Sequence, residues 1–360
     1  MNPCLTFNFG PFTQTVRISG PLPPAAEILA ALKPASPPAF LLICDEHTLP
    51  LARIIGPRGP YCVLKAGEDN KNWAAAEQIL RSAQEAGLGR DSLFIACGGG
   101  VVSDLAGFAA SVYMRGVELV IVSTSLLGMA DAAMGGKTGF DLFNIKNLAG
   151  TFYPARLVYL PLDSLESLPP GEWKSGFAEL IKTAVLEGES FFRLLEEAVP
   201  QDNSPASIPR KTLEEAVYRA AAYKGRIVEE DPRETGERRV LLNLGHSFAH
   251  ALESSAGLGQ LSHGAAVAWG MARACELGLA LGRTPPDRAG RIKDLLKAYN
   301  YEISAPHPLM KDPGAFMSAL GKDKKNRGGR GVFIVPAAQG AEILREVPEE
   351  LLSRIIQGTQ

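Results

Sequence analysis

The sequence predicts an N-terminal α/β domain built on a Rossmann-like parallel sheet, followed by a mostly α-helical C-terminal domain. Three observations carry this expectation. Short apolar runs alternate with helical stretches through the first half of the chain. The periodicity turns helical almost throughout after Pro169-Pro170. The length, 360 residues, favours roughly two hydrophobic cores over one.

The runs at 39–44, 61–64, 93–97, 119–123 and 157–160 are rich in Val, Ile, Leu and aromatic residues. Continuous apolar runs of that length fit strands buried on both faces. Between them, residues 72–86 place apolar side chains at helical spacing. Strand, helix and strand in repetition imply a parallel sheet with right-handed crossovers. From Glu172 to about Asn300 the pattern is helical, broken by a polar loop over 201–209 and again at 283–286. Residues 332–335 read as one late strand. The expected division is therefore 1–170, an α/β nucleotide-binding domain, and 171–360, a helical metal- and substrate-binding domain, with a cleft between them.

Composition bounds the partners. Hydrophobic residues make up 46% and charged residues 21%, the balance of an ordinary globular protein. A formal net charge of -2 gives no reason to expect nucleic acid or an anionic membrane. The five cysteines, Cys4, Cys44, Cys62, Cys97 and Cys275, are scattered without a CxxC pair, which fits reduced thiols in a cytoplasmic protein. No basic leader and no apolar stretch of spanning length is apparent.

The 93–97 run leads into Gly98-Gly99-Gly100-Val101-Val102-Ser103-Asp104 and then a helical segment. Glycines at a strand-to-helix turn let the backbone approach a phosphate, and the helix start supplies N–H donors. Gly67-Glu68-Asp69-Asn70-Lys71 follows the preceding strand, and Asp45-Glu46 ends another, where an acid suits a ribose hydroxyl. Each feature alone is ordinary loop chemistry. Three of them on strand ends favour a nucleotide site.

Of five histidines, His246, His250 and His263 fall within eighteen residues. The first two are four apart and share a helix face. The third opens the next helix. Glu179, in an otherwise apolar turn, lies three residues from Lys182 on one face. A Glu with two His leaves a zinc-type ion open positions for substrate oxygens. Spacing leaves open which two histidines ligate; the third is suited to proton transfer near physiological pH. Lys137, in Gly135-Gly136-Lys137-Thr138-Gly139, with Arg115 and the 322–325 cluster, suggests a substrate carrying phosphate or carboxylate. The spaced first glycine of a P-loop is absent, which excludes that form of NTPase.

Taken together, GGGVVSDLAGFAASVYMRG (98–116), the 131–147 run containing GGKTG, GFAELIK (176–182), LNLGHSFAHALE (242–253), LSHG (261–264) and KDKK (322–325) resemble the 3-dehydroquinate synthases in order and spacing. The resemblance implies a dehydroquinate synthase-like fold, bound NAD, a divalent metal (Zn or Co) and a homodimer. It implies a lyase that turns a phosphorylated sugar acid, 3-deoxy-D-arabino-heptulosonate 7-phosphate, into 3-dehydroquinate. The family does so by transient oxidation, phosphate elimination, reduction and aldol closure.

By matching position, the resemblance assigns Glu179, His246 and His263 to the metal and His250 to proton transfer. It places Asp45, Glu68, Lys71, Gly100, Asp104, Thr124, Ser125, Lys137 and Lys146 at NAD. Lys137, Asn147, Lys182, Lys224, Arg239, Asn243, His250 and Lys324 fall at substrate, with Arg115 at phosphate across the dimer and Asp131 as an active-site carboxylate. The chain departs from the family's usual pattern at Ala265 (Glu), Ala249 (Gly), Ala132-Ala133 (Ser), Asp141 (Asn), Ser125 (Thr) and over 142–145. Two alternatives are a cyclitol-forming sugar-phosphate cyclase, which shares the NAD, metal and elimination chemistry, and a metal-dependent polyol dehydrogenase of the same fold, with net redox turnover.

Overall fold

The computed structural model describes residues 3–34, 38–143, 145–200, 207–257, 260–325 and 331–359, without side chains at 322–325. By internal contacts the chain divides into two compact units. One comprises Met1–Glu172 with Lys224–Arg233, the other Trp173–Tyr223 with Glu234–Gln360.

The first unit runs β1 (Cys4–Phe9), β2 (Phe12–Ser19), α1 (Ala25–Leu32), β3 (Phe40–Asp45), α2 (Leu49–Ile55), β4 (Tyr61–Leu64), α3 (Trp73–Glu85), β5 (Leu93–Gly98), α4 (Gly100–Val112), β6 (Glu118–Ser123), β7 (Lys137–Leu142), β8 (Ile145–Phe152) and β9 (Leu157–Pro161). Seven of the strands form one sheet in the order β1-β2-β9-β6-β5-β3-β4. Every neighbouring pair is parallel except β1 with β2. The five apolar runs become β3, β4, β5, β6 and β9, and β5 is buried at all its positions, as a strand covered on both faces must be. Leu42, Ile95, Val120 and Tyr159 share one core with Ile28 of α1 and Ile55 of α2.

Two hairpins go beyond the sequence expectation. β1 and β2 pair antiparallel around a tight turn, where Gln14, Val16 and Ile18 are buried at every second position, the period of a strand. β7 and β8 form a separate antiparallel pair that begins in the GGKTG segment, whose glycines and charges mask the alternation of a strand.

The second unit is helical: α5 (Pro170–Glu187), α6 (Glu189–Glu197), α7 (Arg210–Glu230), α8 (His246–Ala256), α9 (His263–Ala280), α10 (Pro286–Ala298), α11 (Pro313–Lys325), the hairpin β10 (Val332–Pro336) and β11 (Ala341–Arg345), and α12 (Glu349–Gln357). Its core joins Phe248, Leu252, Trp269, Phe316, Phe333 and Leu352. The α7 helix begins here, while Lys224 onward counts with the first unit. The expected late strand is β10, and β11 pairs with it. The expected loop over 201–209 falls mostly outside the described residues.

Cys44, Cys62, Cys97 and Cys275 are buried, and Cys4 is exposed. Burial raises the thiols of Cys44 and Cys275 to about 12 and pushes those of Cys62 and Cys97 upward as well. Among the described residues no helix is long and apolar enough to cross a membrane.

Candidate active site and metal centre

Three helices of the second unit deliver Glu179, His246 and His263 to one point. Glu179 sits mid-way along α5 between Ala178 and Leu180, all three fully buried. His246 and His263 are the first residues of α8 and α9. The Ser262 hydroxyl caps α9 by accepting from the Ala265 N–H at 3.3 Å, which fixes where that helix begins.

Two backbone crossings fix the approach of these helices. A Cβ at Gly264 would stand 2.3 Å from the Ser175 Cα of α5, and one at Gly270 would stand 2.1 Å from the Gly245 carbonyl oxygen. Gly245 itself has φ +79, which a side chain would strain. Glycine at these places lets α9 touch the helices carrying Glu179 and His246.

The ligand atoms offered by Glu179, His246 and His263 all lie within 4.8 Å of one another. His246 Nε2 is 3.7 Å, and His263 Nε2 3.6 Å, from Glu179 Oε1. The Lys182 ammonium contacts the other oxygen, Oε2. Behind the rings, His246 Nδ1 lies 3.2 Å from the Leu244 carbonyl and His263 Nδ1 lies 3.6 Å from Glu253 Oε1. Both rings thus present Nε2 forward with an oxygen acceptor at Nδ1. One carboxylate and two imidazoles so arranged fit a zinc-type ion with positions left open.

The charge states differ between the two rings. Burial, then the Lys182 ammonium, pushes the His246 imidazole down to about 3, so it stands neutral. Burial also works against charge on His263, but the Glu179 and Glu253 carboxylates outweigh it and raise that ring to about 9.

Beside the three lies His250, exposed, its ring centroid 5.5 Å from that of His246. Asn243, His246, Ser247, His250 and Phe333 line one cavity. Asn243 Nδ2 donates to Glu234 at 3.1 Å. Arg239 is buried, whereas Arg238 is exposed. Lys182 is fully buried against Glu179. The Lys324 side chain lies outside the described residues.

In the first unit, β4 and β5 lie on opposite sides of β3, so the strand order reverses between β3 and β5. Ligands of open α/β sheets bind at the carboxyl ends of strands beside such a reversal. Asp45 ends β3, and Gly99 precedes α4 with no side-chain cap on its first N–H groups, the donor arrangement that suits a phosphate. Gly100 opens α4, and Thr124 and Ser125, both buried, follow β6. The Ser125 hydroxyl accepts from the Gly128 N–H at 3.1 Å. One oxygen of Asp45 accepts from the Thr48 N–H and hydroxyl, each at 2.8 Å.

Lys71 joins several of the expected residues. Its buried ammonium is 2.6 Å from Asp104 Oδ2 and donates to Asn147 Oδ1 at 2.6 Å, with Glu68 3.8 Å away. Burial alone would push the ammonium down, but Asp104 and then Glu68 hold it above the usual lysine value. Asn147, at φ +52, donates its N–H to Asp141 Oδ1 at 2.7 Å. Elsewhere, Lys224 pairs with Asp131 at 2.8 Å. Lys137 is exposed at the start of β7, Lys146 is half-buried on β8, and Arg115 is exposed at φ +67.

Two residues here escape sequence reasoning. Glu253 stands in the LNLGHSFAHALE stretch, where the motif carries no role for it, although 246, 250 and 253 fall on one helical face. Asp141 stands out in the sequence only as a departure from the family pattern.

The 3-dehydroquinate synthase N-terminal family matches residues 61–175, and the 3-dehydroquinate synthase C-terminal family matches residues 176–326. A 3-dehydroquinate synthase of Prochlorococcus marinus (strain MIT 9303) is 39% identical over 302 residues, covering 84% of this chain and 80% of its own. Among solved structures, 2-epi-5-epi-valiolone synthase from Streptomyces hygroscopicus subsp. jinggangensis 5008, with NAD+ and Zn2+ bound, superposes with a TM-score of 0.83. It is 24% identical and covers 96% of both chains. A 2-deoxy-scyllo-inosose synthase complexed with carbaglucose-6-phosphate, NAD+ and Co2+ gives 0.84 at 23% identity, covering 99% of this chain and 100% of its own. With both family halves matched end to end over the two sets of motifs described above, the chain belongs to the 3-dehydroquinate synthase family.

Proposed function

We propose that this chain converts 3-deoxy-D-arabino-heptulosonate 7-phosphate into 3-dehydroquinate and inorganic phosphate, a carbon–oxygen lyase step of the shikimate route to chorismate and the aromatic amino acids. Beside family membership, the observation that carries the proposal is the buried meeting of Glu179, His246 and His263. When bound, NAD supplies reversible hydride transfer, and a zinc or cobalt ion supplies polarisation of a substrate oxygen.

The chain's own residues do the rest. Glu179, His246 and His263 would hold the ion, and Lys182 balances the second carboxylate oxygen of Glu179. His250, exposed on the cavity wall one helical turn from His246, moves a proton to or from the substrate. Asn243 orients a hydroxyl within the same cavity, and Arg239 and Lys324 meet anionic groups.

On the first unit, the α4 N-terminus from Gly100, with Asp45, Thr124, Ser125 and Lys146, holds the dinucleotide. Glu68, Lys71 and Asp104 complete that site. Asn147, held by Lys71 and Asp141, meets substrate, as do Lys137 and the Lys224–Asp131 pair. Arg115 meets phosphate in a homodimer. Support for self-association comes from apolar side chains exposed on β8 and the turn before it: Phe143, Ile145, Leu148 and Phe152.

The test is incubation of the full chain with the heptulosonate phosphate, catalytic NAD and Zn2+ or Co2+. Phosphate and dehydroquinate are expected in equal amounts, with total NAD unchanged. Absence of phosphate release, stoichiometric reduction of NAD, or turnover of sedoheptulose 7-phosphate or glucose 6-phosphate instead would overturn the assignment.

A further inference from the structure

The structure assigns Glu253 as a positioning residue that fixes the ring of His263 for metal binding. The assignment rests on the metal reading above and deepens it. Glu253 follows His246 by seven residues on α8 and points from the same face. It is buried, with 5% of its surface exposed, and its Oε1 stands 3.6 Å from His263 Nδ1. The opposite ring atom, Nε2, faces Glu179 Oε1 at 3.6 Å. An imidazole has only two nitrogens, so a carboxylate at Nδ1 selects the tautomer that leaves the Nε2 lone pair free.

The contrast with His246 sharpens the point. That ring starts α8, and its Nδ1 meets the Leu244 carbonyl two residues earlier at 3.2 Å, a partner supplied by the backbone just before its own helix. His263 starts α9 and takes its partner from α8, across the helix packing. Its ring is also the more accessible of the two, 32% against 11%, and so has less packing to hold it. An anionic partner both orients such a ring and raises its basicity toward a metal, and losing one generally weakens affinity about 10- to 100-fold.

The experiment measures Co2+ binding to the full chain, with the metal-free melting temperature as a folding control, for wild type, Glu253→Gln and Glu253→Ala. The Gln variant keeps the side-chain shape. The Ala variant removes the acceptor. Expected is a Co2+ Kd raised about 10- to 100-fold in Glu253→Ala, less in Glu253→Gln, with the visible absorption band of bound Co2+ shifted in both. Wild-type Kd and band in both variants would sink this assignment while leaving the metal reading intact. So would a lowered metal-free melting temperature with an unshifted band, since that marks a purely structural ion pair. Failure of the wild-type chain to take up Co2+ would remove the metal reading and this inference with it.

Discussion

His246 and His263 offer the same ring atom to Glu179 yet hold opposite charge states, and this sets how metal uptake depends on pH. His246, held down to about 3, is neutral throughout the working range. His263, raised to about 9, carries a proton that the ion must displace. Zn2+ affinity is therefore expected to rise about tenfold per pH unit between 7 and 9 and then level off. Calorimetry in two buffers of different ionisation enthalpy should read about one proton released at pH 7.5; none released would contradict it. In the metal-free chain the sign for stability is the reverse. The raised His263 value stabilises the fold below the ordinary 6.5, and that contribution is lost as pH climbs through about 9. Substitution separates the neighbouring roles: His246→Ala should strip the ion, whereas His250→Ala should retain it and slow turnover. Equal metal loss in both, measured on dialysed protein, would refute the division.

At the scale of the element, the start of α9 explains one departure from the family pattern. The Ser262 hydroxyl accepts from the Ala265 N–H, which is half of a capping box, and the usual Glu at 265 would complete the other half by reaching back to the Ser262 N–H. Ala265 thus removes a cap contact and leaves the proposed ligand at 263 in place. Ala265→Glu is expected to stabilise the chain by about 0.5 kcal/mol, seen as a small rise in melting temperature with Co2+ affinity unchanged; a fall in affinity would show that position 265 bears on the ion. Legibility in the sequence follows the same physics. The strands β3, β5 and β6 are buried on both faces and betray themselves as unbroken apolar runs. The β1–β2 and β7–β8 hairpins carry only short alternation, masked by glycines and charges. The three proposed ligands are legible from residue type and motif. Glu253 was not, because its meaning depends on how α8 lies against α9.

For the whole molecule, the hairpin β7–β8 is where the proposed homodimer would pair. Phe143 is 79% exposed, and a soluble monomer rarely leaves apolar side chains so clustered in water. Sedimentation equilibrium at micromolar concentration is expected to give a dimer for wild type and a monomer for Phe143→Asp. Since Arg115 is proposed to act across that dimer, the variant should also lose activity with its metal content unchanged. A wild-type monomer would end the homodimer proposal, and a dimeric variant would move the interface elsewhere.

The distribution of the five thiols has a practical consequence. Four are buried, with burial raising each one away from its nucleophilic thiolate form, and one, Cys4, stands at the surface at the start of the edge strand. A maleimide dye added to the native chain should therefore mark a single position, and the remaining sites should react only as the sheet or the helical unit opens. Counting dyes per chain by intact mass along a denaturant series turns the cysteines into reporters of local unfolding. Cys44, Cys62 and Cys97 report on β3, β4 and β5, and Cys275 reports on α9, so the two units can be watched coming apart independently without any engineered label.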